Sequence, residues 1–109
     1  MVENRSPFLA MQRVEGQLKS LLRTIDTELL TTDEKKAFAS IRRLTTDARL
    51  DIRDYELSET RDEQLKSATA AKKRLAKLQR AILAVGLVFS PADVAQLSAQ
   101  LEQIEGRLV

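Results

Sequence analysis

Residues 17–85 read QLKSLLRTIDTELLTTDEKKAFASIRRLTTDARLDIRDYELSETRDEQLKSATAAKKRLAKLQRAILAV. These sixty-nine positions hold no glycine and no proline, and apolar side chains recur through them every three or four residues. The strongest breakers of regular structure are missing, and the apolar spacing is that of an amphipathic helix. The stretch decides for an all-α protein. The remaining question is where it breaks.

Two internal starts are written into it. Thr31 and Glu34 have capping-box spacing, with Thr32 and Asp33 as alternative caps. The second lies in SETRDEQ, residues 58–64, a gap with no apolar side chain. Before the gap, Phe38, Ile41, Thr45, Ala48, Ile52 and Tyr55 form one stripe; after it, Ala68, Ala71, Leu75, Leu78, Ile82 and Val85 form another. A continuous helix from Tyr55 to Ala68 rotates the second stripe by roughly 140° from the first. A break near Ser58–Thr60, with Thr60 and Glu63 as a new capping pair, removes the mismatch.

Working outward, Ser6 and Pro7 open the first helix, because proline loses no hydrogen bond at the first helical position. Its stripe is Met11, Val14, Leu18, Leu21, Leu22, Ile25 and Leu29, with Gly16 inside it as a tolerated cost or a close helix contact. At the other end, Gly86 has the freedom to close the third helix, and Leu87 sits where a Schellman motif packs back on Ile82. Ser90, Pro91 and Asp93 open the fourth, with Phe89 and Val94 at staple spacing. Val94, Leu97, Leu101, Ile104 and Leu108 carry its stripe. The sequence thus predicts an antiparallel up-down-up-down four-helix bundle, with helices near 7–30, 33–57, 60–85 and 91–108. It is expected to be one domain over 1–109, with 1–5 a short flexible N-terminus.

Composition narrows the function classes. With 43% hydrophobic and 31% charged residues, the chain suits a folded bundle rather than a disordered segment. The longest apolar run, 81–89, is interrupted by Gly86 and is far short of the roughly twenty residues that cross a bilayer. The start, MVENRSPFLAMQRVE, lacks the apolar centre of a signal peptide. The expected location is cytoplasmic.

The absence of cysteine excludes thiolate chemistry, and the absence of histidine removes the commonest general base and metal ligand. No glycine-rich phosphate loop is present, since the three glycines stand far apart. Asp47, Asp51 and Asp54 share a face of the second helix, but interleaved with Arg49 and Arg53 they read as a solvated stripe rather than an acid/base or cation site. No catalytic residue, cofactor, metal or small-molecule substrate is indicated, and no family motif stands out.

What remains is surface. The net charge is only +2, yet Lys66, Lys72, Lys73, Arg74, Lys77 and Arg80 fall in a stretch with no acid between Gln64 and Ala92. Lys66, Lys73, Lys77 and Arg80 lie within about 60° of one another, opposite their helix's apolar stripe. Such a ridge suits an acidic protein or a phosphate backbone, or is simply a solvated face. The nucleic-acid reading lacks interleaved aromatics and a recognition-helix motif. Leu50 and Leu57 point away from their own seam, and Leu65, Ala76 and Leu83 form a second line about 110° from theirs. These leucines either widen the core or form a partner or dimer surface. The expected function is a non-enzymatic interaction module, an adaptor, chaperone-like or regulatory bundle that binds a protein or itself. The alternative is a nucleic-acid accessory protein using the basic face.

Overall fold

In the computed structural model, residues 6–85 and 88–108 are described. Helix α1 spans Pro7–Thr24, α2 Thr32–Leu57, α3 Arg61–Ala84 and α4 Pro91–Gly106. A 3₁₀ turn, Thr27–Leu29, lies between α1 and α2. Each helix opens on a hydroxyl side chain that accepts an otherwise unpaired backbone N–H. Ser6 accepts from Leu9 at 3.3 Å, Thr31 from Glu34 at 3.1 Å, Thr60 from Glu63 at 3.2 Å and Ser90 from Asp93 at 3.1 Å. At Thr31 the box is reciprocal, since the Glu34 carboxylate accepts the Thr31 N–H at 2.9 Å. The break between α2 and α3 thus falls where the two stripes require it.

Helices α1–α2, α2–α3, α3–α4 and α4–α1 pack on one another, which closes the bundle into a ring. Three contacts fix the directions. Glu56, at the end of α2, accepts from Ser6 Oγ at 2.7 Å and from the Phe8 N–H at 2.6 Å. The Tyr55 hydroxyl donates to the Arg107 carbonyl at 3.4 Å. At the opposite pole Phe38 stacks on Phe89, with centroids 5.9 Å apart. The start of α1 and the ends of α2 and α4 therefore share one pole, and the starts of α2 and α4 share the other. This is up-down-up-down topology.

The stripes of α2 and α3 are buried from Phe38 to Tyr55 and from Ala68 to Val85, without exception. On α4, Leu97, Leu101 and Ile104 are buried and Leu108 just beyond it joins them, while Val94 is half-buried against the same core. Helix α1 departs from expectation. It ends at Thr24 rather than near residue 30. The Thr24 hydroxyl donates to the Leu21 carbonyl at 2.7 Å, and Ile25 is extended. Asp26 then accepts the Glu28 N–H at 3.0 Å and caps the 3₁₀ turn. Local side-chain bonds thus displace the last helical turns. Ile25 still packs on the core, but Leu29 is 82% exposed and leaves the stripe.

Among the described residues Gly16 makes no close helix contact; a methyl group added there would meet none of their atoms within 4 Å. Gly86 and Leu87, assigned to a Schellman motif, and residues 1–5, assigned to a flexible N-terminus, lie outside the described residues.

Candidate functional site

The acidic face of α2 is put to structural use. Arg74 of α3 donates to Asp51 at 2.5 Å through Nε and to Asp47 at 3.0 Å through Nη1. Asp47 and Asp51 are one helical turn apart, so one planar guanidinium can engage both. Two members of the expected solvated stripe are thereby taken up in a clip between helices, and Asp54 alone stays exposed. Arg49 is also engaged, 3.5 Å from Glu15 of α1. Glu15 is 8% exposed and has Lys19 at 4.0 Å as a second counter-charge. Neither pairing is legible in one sequence, because each depends on the register between helices.

The basic ridge has a different character. Lys66, Lys73, Lys77 and Arg80 are all exposed. Among the described residues, none of them takes part in an ion pair; the cations that do are Lys19, Arg49 and Arg74. Arg80 Nε donates to the Ala76 carbonyl of its own helix, at 3.4 Å. The ridge runs about 21 Å along α3, from fourteen residue-to-residue steps of about 1.5 Å between Lys66 and Arg80.

The four off-stripe leucines are exposed: Leu50 37%, Leu57 70%, Leu65 39% and Leu83 57%. They do not widen the core. On the helical wheel Leu50 and Leu57 share the outer face of α2, while Leu65 and Leu83 share a line about 90° from the ridge on α3. Because Arg74 marks the side of α3 turned to α2, Leu65 and Leu83 fall on the ridge's far flank. The eight candidate residues thus form three adjoining strips on α2 and α3, not one patch.

A shallow dip, largely open to solvent, lies on the ridge itself, lined by Leu65, Lys66, Thr69, Ala70 and Lys73. A larger groove of about 520 Å³ lies between α1 and α4, with Arg13, Gly16 and Gln17 on one wall and Asp93 and Gln96 on the other. Neither is legible in the sequence, since each arises from short side chains set among long ones. Among the described residues there is no metal-binding cluster of acidic side chains, and no helix is long and apolar enough to cross a membrane. Comparison with protein-family models, curated proteins and solved structures finds no match.

Proposed function

We propose that the protein is a non-enzymatic binding module whose working surface is the outer side of the α2–α3 hairpin. The observation that carries this reading is the exposure of Leu57 and Leu83, at 70% and 57%, beside cations that no carboxylate of the described chain engages. Leucines held in water beside unpaired charge are the usual make-up of a contact surface with an apolar centre and a charged rim. The partner is another protein or a second copy of the chain.

Light scattering across a concentration range, combined with capture of partners from nuclease-treated lysate, tests the proposal. The wild type is expected to self-associate or to retain a protein after nuclease treatment. Leu57→Asp with Leu83→Asp should abolish this while leaving helicity intact, because both side chains lie outside the core. A wild type that stays monomeric and retains nothing refutes the proposal.

The unpaired ridge supports one second reading, duplex nucleic acid. If all four cations met phosphates, the log-log salt slope would be about −3.6, from 0.9 per contact. Binding that is absent at about 50 mM salt removes that reading.

A further inference from the structure

The geometry points to an acidic amphipathic helix of a partner protein, lying along the outer face of α3 with an apolar side chain in the hollow between Lys66 and Lys73. The inference rests on the binding role proposed above and names the partner's chemistry.

The hollow supplies the first half of the argument. Thr69 and Ala70 are short side chains set among Leu65, Lys66 and Lys73, so the surface dips between them. The Thr69 hydroxyl is already spent on the Leu65 carbonyl, at 2.9 Å. The floor therefore presents mainly aliphatic surface, while its rim carries two exposed ammonium groups with no counter-charge among the described residues. That combination recognises an apolar side chain flanked by carboxylates.

The ridge supplies the second half. Its cations recur at intervals of seven, four and three residues, the repeat by which one helix faces another across a shallow crossing angle. A helix carrying Asp or Glu at matching intervals meets Lys66, Lys73, Lys77 and Arg80 in turn. The apolar wall of the hollow decides against the other polyanions. Leu65, which lines it, contributes nothing against a phosphate backbone, and a net charge of +2 gives little long-range attraction to one. For a lipid surface the order is wrong, because the crest that would meet the membrane is charged and the leucines stand about 90° down its side.

Site-specific photo-cross-linking in the cell of origin tests this with the whole chain. A benzophenone amino acid replaces Thr69, on the floor of the hollow, in one variant and Leu57, on α2, in another. The expected adduct at position 69 is a protein segment with acidic residues flanking aliphatic ones at helical spacing. The quadruple reversal K66E/K73E/K77E/R80E should lower its yield about tenfold or more, as the sum of four modest exposed attractions, with circular dichroism unchanged. An adduct at 69 with nucleic acid or lipid, or one indifferent to the reversal, overturns the inference. Protein adducts at 57 but none at 69 overturn it while leaving the proposed function standing. No protein adduct at either position removes both.

Discussion

The seam between α2 and α3 and the seam between α1 and α4 carry similar stripes of aliphatic side chains but are filled differently. On the α2–α3 side, Ala48 and Ala71 are fully buried, and the Arg74 guanidinium bridges Asp47 and Asp51. Small side chains let the two helices approach, and opposite charges close the edge. On the α1–α4 side stand Arg13, Gln17, Gln96, Gln100 and Gln103, long polar groups that line the large groove and a second gap of about 120 Å³. The Oε1 atoms of Gln17 and Gln100 are buried there without a hydrogen-bond partner among the described residues. A buried acceptor left unmade costs about 1–3 kcal/mol. One seam is closed by small side chains and paired charge, whereas the other leaves buried acceptors unpaired among the described residues. Substitution should therefore mostly harm the first and can improve the second.

The largest test is Leu78→Ala, at a fully buried site on the α2-facing side of α3. It should cost about 2–5 kcal/mol by urea denaturation, and a smaller loss would mean that the hairpin collapses into the void. Arg74→Ala should follow, with a loss of about 1 kcal/mol, because the pairs are partly exposed. Added salt should shrink that difference, whereas a loss independent of ionic strength would assign Arg74 a packing role. On the looser seam, Gln100→Leu should raise stability by about 1 kcal/mol by removing an unpaired oxygen, and a decrease would show that the amide finds a partner in solution. Gly16→Ala should gain the least, about 0.5–1 kcal/mol, since helix propensity rises and the methyl meets no neighbour. The thermal midpoint reads the sign, and a fall would place something in that groove.

The places where sequence reading succeeded share a cause. Thr31, Thr60 and Ser90 act within three residues of themselves, and the stripe of each long helix is a property of that helix alone. Both kinds of signal are local. The first helix misled because Ile25 and Leu29 fit its wheel, and nothing in the apolar spacing weighs the Thr24 and Asp26 hydrogen bonds that end it. The surface was legible in part. The four cations share a face by periodicity alone, so their grouping required no knowledge of neighbours. That Arg74 is bound while Lys73 beside it meets no carboxylate of the described residues depends on which residues of α2 lie opposite, a fact of packing. The hollow at Thr69 and the groove at Gly16 needed coordinates for the same reason.

The hydrogen bond from Tyr55 to the Arg107 carbonyl has an optical consequence. The chain carries one tyrosine and no tryptophan, so its ultraviolet emission comes from a single ring, fixed where the end of α4 meets α2. Release of α4 would change that emission while most of the helical circular dichroism persisted. A mismatch between the two signals on heating would therefore reveal the bundle parting at one corner before it melts as a whole.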